Sequence, residues 1–330
     1  RSVFGNNPCK TIINQIDFSK SINNFNILKF NLTNSLASSN GNNYVDIAEL
    51  NRTSLTGTFK LNNPKYQLKH LLTTSLLFDK KYNSPLTFSY SFKREFHNHF
   101  NLYFNAGKVY RFPTINDLFW NPGGNLNLVP EEGYTSDIGV IWNKKIHKLI
   151  FSFEPSLYSR WIDNWILWQP TGSFWSPMNV KKVWNRGLET SSKVHFINKN
   201  ISYDFSVKTA YNLSTNIEVY NSNNNSLDKQ LIYIPHYKLV FKSQISYKEF
   251  SFTYLHNYTG YVFTSTDNEN YIPSFNLGRL FLSFRVKLNN SSAKIFYKIN
   301  NLYNTNYQVI MNRPMPLINH EIGINFKLNK

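Results

Sequence analysis

Leu280–Leu288, LFLSFRVKL, carries the clearest signal of the fold. Leu280, Leu282, Phe284, Val286 and Leu288 alternate without a break against Phe281, Ser283, Arg285 and Lys287. A side-chain period of two is what a β-strand imposes, because successive Cβ atoms point to opposite faces. One wall of such a strand is apolar and the other carries charge. Tyr203–Tyr211 reads the same way, with Tyr203, Phe205, Val207, Thr209 and Tyr211 opposed to Asp204, Ser206, Lys208 and Ala210. So does the end of the chain, where Ile322, Ile324, Phe326 and Leu328 oppose Gly323, Asn325 and Lys327.

Composition agrees with two unlike walls. Hydrophobic residues make up 41% of the 330 and aromatic residues 17%, yet the mean hydropathy is -0.41. A chain rich in Phe, Tyr and Asn at once suits a sheet with lipid on one side and water on the other. A soluble β-rich protein is the plain alternative. No run of about 18 apolar residues occurs, which excludes transmembrane helices. A spanning structure then has to be a closed barrel, in which every backbone group finds a partner.

Breakers between the alternating runs place strands near 11–18, 24–34, 44–61, 66–78, 85–93, 98–110, 133–143, 148–161, 183–197, 201–212, 233–246, 250–262, 275–288, 293–302 and 318–328, about fifteen in all. Their connections alternate in length. Short turns fall near 19–23, 62–65, 94–97, 144–147, 198–200, 248–249 and 289–292, and longer loops at 35–43, 79–84, 111–132, 162–182, 213–232, 263–274 and 303–317. Tight turns at one end and long loops at the other are the asymmetry of a membrane barrel. The expected fold is all-β, a transmembrane antiparallel up-and-down β-barrel to which residues 1–330 contribute one domain.

The net charge of +17 raises the possibility of nucleic acid. The lysines argue against such a partner, since Lys65, Lys93, Lys144, Lys199, Lys248 and Lys287 are scattered and form no basic run or recognition helix. A basic surface near anionic lipid head groups fits better. The histidines at 70, 97, 99, 147, 195, 236, 256 and 320 form no HExxH, and no serine sits in a G-x-S-x-G turn. His97 and His99 flank a turn, but two ligands without cysteine or carboxylate support make a weak metal site. Cys9 is the single cysteine, which excludes an internal disulfide and a thiolate cluster. No enzyme activity, cofactor or resident metal is expected.

The longest interruption with individually chosen residues is Tyr110–Gly133, YRFPTINDLFWNPGGNLNLVPEEG. Pro113, Pro122 and Pro130 cannot donate to a ladder and Gly123 and Gly124 permit positive φ, so the segment reads as a long ordered loop. Asn116 or Asp117 can bond the backbone locally. Phe112-Pro113, Asn116, Leu118, Gly124-Asn125, Leu128, Pro130 and Glu131 resemble the FRxPT…NDLYW…GNPxLxPE signature of TonB-dependent outer-membrane receptors, with Leu126 where that family usually has proline and Val129 where it often has lysine. Ile162–Lys182, IDNWILWQPTGSFWSPMNVKK, followed by Arg186-Gly187-Leu188-Glu189, resembles the family's IDNxIxW…W.P.N loop and RGxE strand. Asn300–Lys330 resembles its closing NLxNxxYQ…RPMPGRxxxxGxxFxF strand pair, with Leu328 in place of the usual terminal aromatic.

The resemblance implies that the chain is the C-terminal part of a barrel of about 22 strands, an even number as single-chain barrels require. The N-terminal plug and the first strands would then lie outside these residues, and a chain that opens at Arg1 without a methionine, a basic n-region or an apolar h-region is expected to be a mature product or a fragment. It implies active uptake across the bacterial outer membrane of a scarce metal chelate such as a ferric siderophore, haem or cobalamin. The TonB complex would supply energy through the plug; outer-membrane lipid and the barrel assembly machinery, which reads the closing strand, would be further partners. A passive porin or a remnant structural barrel is the alternative. Candidate ligand contacts in the long loops are Phe119, Trp120 and Asn121, then Trp165, Trp168, Trp175 and Asn179, then Arg313. For the tryptophans the competing role is the interfacial aromatic girdle. Arg186 and Glu189 are expected to point into the lumen, pairing with the plug or simply solvated.

Overall fold

The computed structural model describes residues 8–44, 48–83, 85–96, 99–221, 225–288 and 291–328. His97 and part of the turns expected at 94–97 and 289–292 lie outside the described residues. A single sheet of fifteen strands runs through the chain: β1 (Cys9–Ser21), β2 (Ile27–Ser39), β3 (Ala48–Asn63), β4 (Leu68–Asp79), β5 (Thr87–Phe96), β6 (Phe100–Arg111), β7 (Glu131–Ile146), β8 (Leu149–Thr171), β9 (Phe174–Asn198), β10 (Ile201–Glu218), β11 (Tyr237–Tyr247), β12 (Phe250–Thr259), β13 (Phe275–Leu288), β14 (Ser291–Asn300) and β15 (Asn319–Leu328). Each strand pairs antiparallel with its neighbour in sequence. Every expected strand has its counterpart. Because the order is strictly sequential, the short turns all fall along one end of the sheet and the long connections along the other.

The register separates two walls. Phe92, Phe104, Ile138, Leu157, Leu188 and Tyr211 are successive cross-strand partners on one side. Leu157 is 57% exposed and Leu188 41%, so neither is buried against protein. An apolar surface spread over a whole sheet belongs in hydrocarbon, not water. Leu282, 45% exposed, and Phe284 continue it, opposite Phe252 and Phe250. The other wall carries Lys69, Lys93, Tyr103, Gly139, Ser156, Glu189 and Lys238 at equivalent heights. Polar ladders cross it: Asn31 Nδ2 donates to Asp17 Oδ1 (2.8 Å), Asn105 Nδ2 to Asp137 Oδ2 (2.7 Å), and Thr56 and Ser75 share a 2.9 Å hydrogen bond. Aromatics on this inward wall lie against glycines of the next strand. Cβ atoms added at Gly139, Gly187 or Gly323 would meet the rings of Tyr103, Tyr158 or Phe296, the packing by which a ring covers a bare stretch of backbone.

Two expectations are corrected. Residues 162–182 are not a loop: β8 and β9 stay paired beyond the sheet to Thr171 and Phe174, turning at Gly172 with φ 69°. Pro170 and Pro177 read as breakers in sequence. In the projecting hairpin each strand has a partner on one side only, so a missing N–H leaves no ladder bond unmade. Arg186 does not face the lumen. It pairs with Ser159 two residues from Leu188 and stands on the apolar wall, while Glu189 turns inward as expected.

Candidate functional site

The segment 112–130 between β6 and β7 folds into the mouth of the sheet and is fastened there by its own residues. Thr114 caps the five-residue helix α1 (Ile115–Phe119). Asp117 N donates to Thr114 Oγ1 (3.2 Å) and Thr114 N to Asp117 Oδ2 (2.8 Å), the reciprocal box that satisfies two otherwise orphaned amides. Asp117 is only 5% exposed, and its second oxygen accepts Trp168 Nε1 (2.8 Å) from the hairpin. Leu118, Leu128 and Ile166 form a small buried cluster against which Phe119 and Leu50 pack. A buried apolar cluster therefore sits where loop meets hairpin.

Charge closes the brace. Arg111 binds Glu131 through Nε and Nη2, both at 2.6 Å, and lies 3.6 Å from Asp117. Glu131 Oε1 also accepts Ile166 N (2.7 Å). A forked arginine–carboxylate pair fixes geometry as well as charge. Arg52 works from the far side: Nε reaches Asp79 at 2.9 Å, Nη2 donates to Pro113 O (2.7 Å), and the guanidinium lies 4.8 Å from the Phe112 ring centroid. Asn125 Nδ2 donates to Pro177 O (3.1 Å). Asn179 accepts from Val129 N (3.0 Å) and donates to Val129 O (3.0 Å) and Asn164 O (2.7 Å). Gly123, at φ 123°, passes so close to the hairpin that an added Cβ would collide with Trp175 O. Only glycine meets both demands.

The brace brings most of the candidate residues together. Trp120 is half-buried and packs edge-on against Tyr44, with centroids 5.7 Å apart. Asn121 is exposed, its amide donating to Asn43 O (2.8 Å). Trp168 and Asn179 have their polar groups engaged in holding the loop. Alternation along β8 and β9 turns Trp168 and Trp175 inward and Trp165 outward. Trp175 packs against Tyr233, with centroids 5.1 Å apart. Arg313 stands elsewhere, exposed on a small hairpin of Gln308–Ile310 and Arg313–Pro314, and no described contact joins it to this cluster.

Sequence reasoning missed Arg52, inside β3, and Asp79 and Arg111, which end β4 and β6; all three acquire partners only through the fold. It also missed a cavity of about 200 Å³ between the hairpin and the 219–236 connection, lined by Gln169, Lys181, Tyr220, Lys229 and Gln230 over a floor of Leu231 and Ile232. Leu231 and Ile232 are buried. Nothing in the local pattern distinguishes these residues from an ordinary polar loop.

Comparison with known proteins agrees with this architecture. The family model for the TonB dependent receptor-like β-barrel matches residues 73–302. The vitamin B12 transporter BtuB of Photobacterium profundum is 32% identical over 108 residues, 31% of this chain and 17% of the relative. Among solved structures, the copper transporter OprC superposes with a TM-score of 0.71 at 15% identity, covering 96% of this chain and 56% of that one. A mutant of the ferric enterobactin receptor PfeA of Pseudomonas aeruginosa gives 0.70 at 11% identity, with 97% and 54% covered. At such identities the likeness is one of fold. The chain thus spans about half the length of these two receptors. With well over half of its residues matched by the family model, the chain belongs to the TonB-dependent receptor-like β-barrels of the bacterial outer membrane, a family of receptors and transporters and not of enzymes.

Proposed function

We propose that the receptor to which this barrel wall belongs takes up a scarce metal chelate, with cobalamin the first substrate to test and ferric siderophores and haem after it. The observation that carries the reading is the braced mouth, where Arg111, Asp117, Glu131 and Asn179 hold one loop against the β8–β9 hairpin and leave Trp120 and Trp175 as rigid aromatic area. Aromatic area already ordered before binding lowers the entropy lost when a bulky planar ligand settles on it. The likeness to a vitamin B12 transporter supports cobalamin, and the fold likeness to a ferric enterobactin receptor supports the siderophores. Phe119, Trp120, Asn121, Trp165, Trp168, Trp175, Asn179 and Arg313 are the proposed contacts or supports of contacts. Transport would draw on the TonB complex through a plug, and folding on the barrel assembly machinery.

The full receptor, expressed in cells lacking their own transporters, should accumulate labelled cobalamin or a labelled ferric siderophore only while the TonB complex is present. Equal uptake with and without that complex would replace active import by a passive pore. The loop's share is separable by two substitutions. Trp120→Ala should weaken ligand binding about tenfold, roughly 1.4 kcal/mol, at unchanged barrel level. Gly124→Val should lower the amount of folded barrel, because an added Cβ would lie 2.6 Å from Trp120 N and 2.8 Å from Leu118 O. Wild-type affinity in the Trp120 variant would leave the loop a brace and nothing more.

A further inference from the structure

At its long-loop end the apolar wall carries an arginine that stands apart from the carboxylates. Lys108, Tyr134, Trp161, Trp184 and Thr215 are cross-strand partners there, and Ser136, Ser159, Arg186 and Leu213 form the row beneath them. Lys108 has Glu132 at 3.2 Å, and Lys182, one row above Trp184, has Asp163 at 3.5 Å and Glu218 at 3.3 Å. Arg186 has no carboxylate within 4.0 Å among the described residues. It stands two residues from Leu188 on lipid-facing surface, and an arginine there reaches toward the polar boundary.

Contacts on two neighbouring strands hold its side chain. The guanidinium lies 3.7 Å from the Trp184 ring centroid, and Nη1 donates to Thr215 Oγ1 (3.0 Å) and Trp184 O (3.3 Å). Trp184 is in turn held by Nε1 donating to Ser159 Oγ (2.9 Å) and by the parallel ring of Trp161, with centroids 5.7 Å apart and planes at 11°. The guanidinium is held at the level of the tryptophan pair, and among the described residues its Nε and Nη2 have no hydrogen-bond partner. A rigid fork of N–H groups with a permanent charge matches a phosphate. At that height on a barrel whose long loops are extracellular, the phosphates are those of outer-leaflet lipid.

We propose that Arg186, stacked on the Trp184–Trp161 pair, seats a phosphate of an outer-leaflet lipid, with the two indoles packed against the adjoining glycolipid or acyl portion. This holds whatever ligand the mouth takes. Free phosphate shares the head-group chemistry, but the tryptophan pair and the apolar wall below it favour a lipid.

The test is native mass spectrometry of the full receptor in neutral detergent, titrated with diphosphoryl lipid A, alongside electrophoretic heat-modifiability as the measure of folded barrel. Arg186→Gln should reduce the bound lipid at least fivefold with the barrel folded, and millimolar inorganic phosphate should not displace it from the wild type. Ser159→Asp leaves Arg186 in place and supplies a carboxylate directly across the strand pair, and it should reduce the bound lipid to a similar extent. If Arg186→Gln does not yield folded barrel, Ser159→Asp alone decides. Undiminished lipid in these folded variants would overturn the site, and displacement by inorganic phosphate would make it a free-anion site instead of a lipid seat.

Discussion

Trp161 and Trp184 stand on one side of the β8–β9 hairpin, Trp168 and Trp175 on the other. The outward pair stack on each other and on Arg186 at the edge of the apolar wall. The inward pair reach into the mouth, Trp168 to the nearly buried carboxylate of Asp117 and Trp175 to Tyr233. Residue type is the same and separation along the strand is small, yet one pair meets membrane and the other holds a loop. Parity along a strand, not distance from a turn, assigns the role, because each step of one residue exchanges lipid for lumen.

The same parity makes the largest prediction. Phe153 faces outward and Ser152 inward on β8. Phe153→Arg should cost about 2–4 kcal/mol near the bilayer midplane and Ser152→Arg far less, read by reversible urea folding into lipid vesicles. Equal losses would mean that the two walls are not in different solvents.

Next in size is the inward brace. Arg111→Ala removes both hydrogen bonds to Glu131 and leaves that carboxylate, whose side chain is only 13% exposed, with Ile166 N as its remaining close partner. About 2 kcal/mol of local stability should go, the scale of a charge-assisted bond lost at a partly buried acceptor. Hydrogen exchange should show 112–130 and the hairpin tip loosening together while β8 and β9 below Trp161 keep their protection. Loosening of the loop alone would mean that the hairpin stands without it.

The smallest effect tests the tryptophans directly. Trp168→Phe keeps an aromatic ring, smaller than the indole, but removes the donor to Asp117, and should cost about 1 kcal/mol and raise exchange in α1. Trp161→Phe, on the opposite side, should leave α1 exchange unchanged. A matching rise in both variants would erase the distinction between the two pairs.

Much of this architecture is legible in the amino-acid order. Alternation of the kind seen in Leu280–Leu288 recurs along the chain, and each such run is a strand of the sheet. The loop signature around Pro113, Gly123 and Pro130 reads as an ordered segment, because prolines and glycines restrict backbone independently of context. The two errors have different causes. Pro170 and Pro177 look like interruptions, although a proline interrupts a ladder only where a neighbour needs its N–H, and the neighbour is a matter of tertiary arrangement. Arg186 and Glu189 stand three residues apart and so cannot both face inward on one strand; alternation puts Arg186 with Leu188.

Strands, their two-sided character and the long and short ends follow from a period of two and from residues that act on their own backbone, and the family from the motifs around Pro113, Gly124 and Pro130, so all are written in the chain itself. Which charges meet is settled only in three dimensions. Arg52 finds Asp79 and the Pro113 carbonyl, Arg111 finds Glu131, Asn179 finds Val129 and Arg186 finds Trp184. Two of these pairs, Arg111–Glu131 and Asn179–Val129, join residues 20 and 50 positions apart along the chain. A side chain's partner depends on register and on where a loop folds back, and neither is encoded in its immediate neighbours.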